Sequence, residues 1–258
     1  MKLFKTLLTI LFISLLSSPS WSAAIDDLVE RNDLYYEKFS DVPFSGEGTG
    51  KIQGSIKDGM FEGAWVYYHN NGQLQAKVNF KNGKREGAIV VYFKSGQLRN
   101  KGTFKNGKRE GPWVNYRDNG RLGSKGNYKN DKSEGAWVSY YENGQLDFKG
   151  NYKNGKKEGA WVFYHDNGQL ITKGSYKNDK RDGAWFNYFD DGTLDRKGNF
   201  INGKNEGTWA YYYRNGQLSY KGNWKNGKQD GAWVSYNKDG TVDKGNTGTF
   251  KDGKKISD

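Results

Sequence analysis

Eight acid-glycine pairs follow one another in this chain at a fixed spacing of 24 residues. The pairs are Glu62-Gly63, Glu86-Gly87, Glu110-Gly111, Glu134-Gly135, Glu158-Gly159, Asp182-Gly183, Glu206-Gly207 and Asp230-Gly231. A fixed period of this size marks a repeat architecture, in which each unit buries its apolar surface against its neighbours. It also bears on function. Near-identical copies present the same side chains along a length, which suits an extended partner and suits a single catalytic pocket poorly.

Within each unit the turn chemistry is explicit. Units start at Ile56, Phe80, Phe104, Tyr128, Tyr152, Tyr176, Phe200 and Trp224, so that eight repeats span 56–249 and a partial copy fills 250–258. Asn-Gly between alternating apolar residues is a strong hairpin signal, because both turn residues need positive φ. Each unit carries two such turns, one at Asn71-Gly72 and one at Asn82-Gly83 with their copies. Where the glycine of the second turn is lost, at Asn130-Asp131 and Asn178-Asp179, the replacement is Asp, which tolerates the left-handed region. Two strands per unit with no helix between them predict an all-β fold. The expected architecture is an elongated single-sheet antiparallel meander of about 16–18 strands, on the order of 80 Å long at ~4.8 Å per strand.

Turn parity assigns the faces. With Asn71-Gly72 as the two central residues, Trp65 faces Val78 and His69 faces Leu74. The turn at Asn82-Gly83 then sets Ala76 opposite Ile89, which holds the Trp position of the second unit. One side collects Trp65, Trp113, Trp137, Trp161, Trp185, Trp209 and Trp233 with Leu74, Val78 and Phe80. Position 78 becomes glycine in the copies Gly102, Gly126, Gly150, Gly174, Gly198 and Gly222. This is the expected core face, an indole ring over a glycine in most units. The opposite side collects Tyr68, Tyr92, Tyr116, Tyr140, Tyr164, Tyr188, Tyr212 and Tyr236. Beside them run Lys77, Lys101, Lys125, Lys149, Lys173, Lys197 and Lys221. Those tyrosines and lysines are the candidate partner-binding face. The loops carrying Lys81, Lys84, Arg85, Lys108, Arg109, Lys156 and Lys157 read as a cationic edge. The repeated acid reads as an acceptor for loop amides or a partner for nearby lysines.

The ends differ from the array. Residues 1–24 read as a signal peptide, with Lys2 and Lys5 ahead of an apolar run from Leu7 to Leu16 and cleavage expected after Ser22 or Ala24. That run is shorter than the ~20 residues a spanning helix needs, so no transmembrane span is expected after cleavage. Residues 25–55 form an acidic leader and N-terminal cap. Seven acids against two cations give residues 25–50 a charge of −5. Lys2 and Lys5 add +2, which leaves +15 on the remainder of a chain whose total is +12. Leu34-Tyr35-Tyr36 and Pro43-Phe44-Ser45-Gly46 read as an opening hairpin, and Ile25 to Arg31 as a short helical turn. The chain has no cysteine, which excludes disulfides and thiolate chemistry. These features point to an exported protein, periplasmic or secreted.

The string Lys153-Asn154-Gly155-Lys156-Lys157-Glu158-Gly159-Ala160-Trp161-Val162-Phe163-Tyr164, followed by Asn167-Gly168-Gln169-Leu170, resembles the MORN (membrane occupation and recognition nexus) repeat. It is most similar to the bacterial variant labelled the YwqK-type, antitoxin-like family, and the resemblance covers about 34–258. It implies stacked β-hairpins, a scaffold role, and links to phospholipid or protein binding.

Chemistry for catalysis or metal binding is sparse. His69 and His165 occupy the same repeat position four units apart and cannot share an ion. No nucleophile elbow or phosphate loop occurs. Glu86 and Glu110 lie two strands apart, roughly 10 Å, which mimics a glycosidase pair by spacing alone. The expected function is a non-enzymatic exported scaffold, with no cofactor, that binds an extended partner. An envelope protein, anionic lipid head groups or an acidic glycan are the candidates, and nucleic acid is disfavoured. The alternative is an antitoxin-like or immunity protein that neutralises a toxic partner.

Overall fold

A computed structural model describes residues 21–258. The apolar run of the N-terminal segment lies outside the described residues. From residue 46 onward the chain is a continuous antiparallel meander, and 21 strands join in one sheet. The count exceeds 18 for identifiable reasons. Ser22–Ala24 and Gly46–Thr49 of the leader join the sheet, and one strand divides at Asp182 into Lys180–Arg181 and Gly183–Tyr188.

The two turns of the unit are built differently. At Asn82-Gly83 both residues have positive φ, 49° and 72°, and Lys81 pairs with Lys84. This is the expected two-residue turn. In Asn130-Asp131 and Asn178-Asp179 the Asp adopts φ 67°, as the substitution predicts. At Asn71-Gly72 only the glycine is left-handed, at φ 81°. The Gly72 amide donates to His69 O at 2.9 Å and the His69 amide to Gln73 O at 2.8 Å. The loop is therefore three residues long, a type I turn closed by a left-handed glycine. His69 pairs with Gln73 rather than Leu74, which corrects the two-residue reading.

That extra loop residue is cancelled within the same hairpin. Tyr67 pairs with Ala76 but Tyr68 with Leu74, so Gln75 is bulged out. Trp65 still faces Val78, as the two-residue loop demands. Leu74 and its copies, however, pair with the tyrosines and join the Tyr/Lys side instead of the Trp side. A second bulge sits at each acid-glycine pair. Phe80 faces Arg85, yet Val78 faces Ile89, so the strand with Glu86-Gly87 gains two residues. Ile89 thus opposes Val78 and not Ala76. A two-residue shift preserves side-chain parity, so the faces persist.

The core is an aromatic ladder on the Trp side. Trp65, Trp113, Trp161, Trp185, Trp209 and Trp233 are buried, and Trp137 is partly so. Each indole packs edge-on against the aromatic that opens a unit: Phe104, Trp113, Tyr128, Trp137 and Tyr152 succeed one another at 5.1–6.0 Å. Edge-to-face contacts of this kind add to the burial term. From Trp113 on, the indole Nε1 donates to a carbonyl ten residues earlier, as Trp185 does to Ser175 at 3.0 Å. The ring rests on a glycine, but not on its 13-residue partner. Trp113 pairs with Gly126, while its six-membered ring covers Gly102 of the preceding strand. Trp65 covers Gly54 in the same way. This explains Val78: its strand neighbour is Ile89, so no indole needs the space.

The leader folds over the first repeat. Ile25–Asp27 is a single 3-10 turn, and Leu28–Arg31 pairs with Leu34–Glu37 through Asn32-Asp33, both at positive φ. Leu34-Tyr35-Tyr36 therefore pairs backward, keeping one bridge from Tyr36 to Pro43. Phe44 is buried against Ile56, Trp65 and Val78, with Ile25, Leu28 and Tyr35 packed around them. Ser22–Ala24 lies parallel to Gly46–Thr49, and Glu47 N donates to Trp21 O at 2.7 Å. Cleavage after Ser22 or Ala24 would remove part or all of that edge strand. No helix among the described residues is long and apolar enough to cross a membrane.

Candidate functional site

The register builds three parallel rows across the face opposite the tryptophans. In the middle row lysine and an apolar residue alternate from strand to strand, the latter Val or Ala except at Phe186. Lys125 pairs with Val114 on one side and Val138 on the other, and Lys149 with Val138 and Val162. The same pattern runs from Val66 and Lys77 to Lys221 and Val234. One flanking row holds the tyrosines paired with leucines, from Tyr68–Leu74 to Tyr212–Leu218. Tyr236 forms an isolated bridge with Val242. The other flanking row sets a small residue, mostly Ala, against Asn, Ser or Thr, as in Pro112–Asn127, Ala136–Asn151 and Ala160–Ser175.

All seven row lysines are exposed and all eight tyrosines are half-buried. No carboxylate of the described residues forms an ion pair with any of the seven. Lys173 stands over the Phe186 ring at 5.2 Å and Lys197 over Tyr212 at 5.8 Å. Successive row lysines stand two strands apart, a backbone spacing of about 9.6 Å. The centre of this face is concave: a trough of about 700 Å³ lies over Val114, Val138 and Val162, with Lys125 and Lys149 at its sides. The bulge at Gln75, which no sequence signal announced, is what places a leucine beside each tyrosine.

The repeated acid is structural. Its carboxylate accepts the amide of the next unit's turn, as Glu62 does from Asn82 at 2.8 Å, Glu134 from Asn154 at 2.7 Å and Glu158 from Asn178 at 2.9 Å. Asp182 does the same for Asn202 at 3.2 Å. Asp230 pairs with Lys251 at 2.9 Å; that contact first, and the Asp252 amide of the next turn last, hold its carboxyl below the usual range. The adjoining glycine is left-handed, φ 69° at Gly159, with open space where a Cβ would stand. Conformation, not crowding, requires glycine there. Replacing Glu158 by Ala is expected to cost about 1 kcal/mol in urea unfolding. Glu158→Gln, which keeps an acceptor, should cost less than half of that.

Arg109 and Lys157, read as edge cations, turn inward, and so does Arg181 at the same repeat position. Arg109 stands 3.9 Å from the Tyr128 ring, Lys157 4.8 Å from Trp161 and Arg181 4.8 Å from Trp185. These contacts roof the aromatic ladder. The histidine position clasps the next unit: His69 Nε2 meets Tyr92 O at 3.1 Å, and Tyr141 Oη donates to Tyr164 O at 2.7 Å.

Comparison with known proteins agrees with this geometry. The chain matches the MORN repeat variant over residues 61–82, 85–106, 133–154, 157–178, 181–202 and 205–226, just over half its length. It belongs to the MORN repeat variant family. No curated protein matches. Among solved structures it is similar to a GtfA/B complex bound to UDP and GlcNAc, at 15% identity over 54% of this chain and 25% of the other, with a TM-score of 0.19. It is also similar to TcdB2-TccC3-TEV, at 12% identity, 81% and 16% coverage and a TM-score of 0.19. TcdB2-TccC3 follows at 13% identity, 76% and 15% coverage and a TM-score of 0.18. The chain spans a quarter or less of each, and likenesses this slight carry no argument about function.

Proposed function

We propose that the protein is an exported, non-enzymatic scaffold that holds an extended partner along its Tyr/Lys face. The observation that carries this reading is the row of seven lysines without carboxylate partners among the described residues, bordered by tyrosines. A single-sign row attracts an anionic chain and fixes its direction. Segment 1–24 is proposed as the export signal.

Of the candidate partners, the spacing favours a polypeptide. A polyproline II chain turns once every three residues and about 9.3 Å, close to the two-strand spacing of about 9.6 Å. An acid at every third position would meet successive lysines, while the prolines face the tyrosine row, as aromatic-lined grooves receive such chains. A β-extended peptide fits less well. At ~3.3 Å per residue, three residues match the spacing but point successive acids to opposite sides.

The test compares a proline-rich peptide with Glu at every third position, anionic vesicles and an acidic polysaccharide. Each is titrated against the wild type and against a variant with Lys101, Lys125 and Lys149 replaced by Gln. The exposed lysines should be removable without change in the circular dichroism. Binding of the peptide is expected to fall at least tenfold in the variant and to lose part of its salt dependence. If none of the three binds, or the variant binds as well as the wild type, the docking face is wrong.

A further inference from the structure

The Trp face breaks its own period once, and a depression lies at the break. Seven of the eight units place Trp at the position 24 residues on from Trp65; the second places Ile89. The glycine that would lie beneath an indole there is Val78. Val78 is buried, at 5% exposure, and faces Ile89 across the strands. Two branched aliphatic side chains of similar total volume thus stand where the other units lay one flat indole over a bare glycine. Beside them lies a depression of about 560 Å³, floored by Val78, Ile89 and Val91 and walled by Tyr67, Phe104 and Trp113. That volume lies within the range of small-ligand sites, which are mostly apolar with a few placed polar groups.

The polar group is Arg85. In other units the cation at this repeat position covers an indole: Arg109 lies 6.0 Å from Trp113, Lys157 4.8 Å from Trp161 and Arg181 4.8 Å from Trp185. Arg85 has no indole beneath it and reaches only the Phe104 ring, at 5.4 Å. Nor does a carboxylate hold it. Arg109, on the same rim, is held by Asp131, whose Oδ1 accepts from its amide at 2.9 Å and its Nε at 3.1 Å. Those contacts keep the Asp131 carboxyl below the usual carboxylate range. Glu30 and Asp33 line an adjoining depression that Arg85 also borders, and neither is within ion-pair reach of it. The site thus offers an apolar floor, aromatic walls and one uncommitted guanidinium that can take a carboxylate in a two-pronged grip.

We infer that this cavity binds a free, flat aromatic carboxylate, whose ring lies on the aliphatic floor between the aromatic walls and whose carboxylate pairs with Arg85. The site lies on the face opposite the lysine row, so it stands or falls independently of the proposed docking face. Indole-3-acetate is the probe, titrated against the full chain by calorimetry with methyl spectra of Val78, Ile89 and Val91. Shifts are expected at those three residues. The neutral analogue 3-methylindole should bind at least tenfold more weakly, since bonds to a charged group are among the stronger ones. Arg85→Gln should bring indole-3-acetate down to the affinity of the neutral analogue and leave the latter unchanged. The double variant Val78→Gly with Ile89→Trp restores the period, removes the aliphatic floor, places an indole beneath Arg85 as beneath Arg181, and should abolish binding of both compounds. Should that variant fail to fold, Arg85→Gln alone decides. Absence of binding to the wild type, methyl shifts elsewhere, undiminished binding of indole-3-acetate to Arg85→Gln, or binding that survives in the double variant overturns the assignment.

Discussion

Gly174→Val is expected to destabilise the protein by about 3 kcal/mol, read as a lowered urea midpoint. A Cβ at Gly174 would stand 2.3 Å from Cδ2 of Trp185. The ring cannot yield cheaply. It is fully buried, its Nε1 is tied to Ser175 O at 3.0 Å, and Tyr176 and Phe200 pack edge-on at 5.1 and 6.0 Å. Arg181 closes the remaining side. Either the indole leaves the ladder, with a loss on the order of a buried Trp truncation at ~3–5 kcal/mol, or two strands separate locally. Pairing the change with Trp185→Ala should show strong non-additivity, because valine would then enter the space the ring vacated. A change of under about 0.5 kcal/mol for Gly174→Val alone would remove the claim that glycine is needed for room at this position.

The sequence alone carried the period, the number of strands per unit and the faces of Trp, Tyr and Lys, because each rests on something strictly repeated. Asn-Gly reports a turn, and side-chain alternation carries the face from one strand to the next. What stayed hidden were the two irregularities inside each unit. Nothing at Gln75 distinguishes a bulged residue from a paired one, so strict alternation assigns Leu74 to the tryptophan side, whereas it stands beside Tyr68. The acid-glycine pair was visible as a repeat, but its conformation was not: the left-handed glycine adds residues to one strand and carries the acid to the next turn. Both errors left parity intact, the first because the longer loop offsets the bulge and the second because the shift is two. The lysine row was therefore legible residue by residue. The cavity was not, since the exchange of Trp for Ile89 and Gly for Val78 gains meaning only once the ring is seen resting on the preceding glycine.

Excising residues 129–152 is expected to leave a folded protein whose melting temperature falls by only a few degrees, whereas excising 129–151 should lower it by about 10 °C or more. The 24-residue cut joins Tyr128 to Lys153, so every later residue keeps its repeat position. Trp161 would then cover Gly126 in place of Gly150, and Glu110 would take the Asn154 amide in place of Asn130. Each unit contacts mainly its neighbours, so losing one removes its own burial and leaves the adjoining interfaces reformed. The 23-residue cut leaves one extra residue in a strand. A one-residue slip sends every following side chain to the wrong side, putting Trp161 among the lysines and its valines among the rings. A new bulge could absorb the slip, but at a site where the strand has no left-handed glycine to form it. Loss of even one buried indole, ~3–5 kcal/mol, corresponds to roughly 10 °C in a chain of this size. Equal melting temperatures for the two deletions would mean that the register is not set by side-chain parity, and the assignment of lysines and tryptophans to opposite faces would lose its foundation.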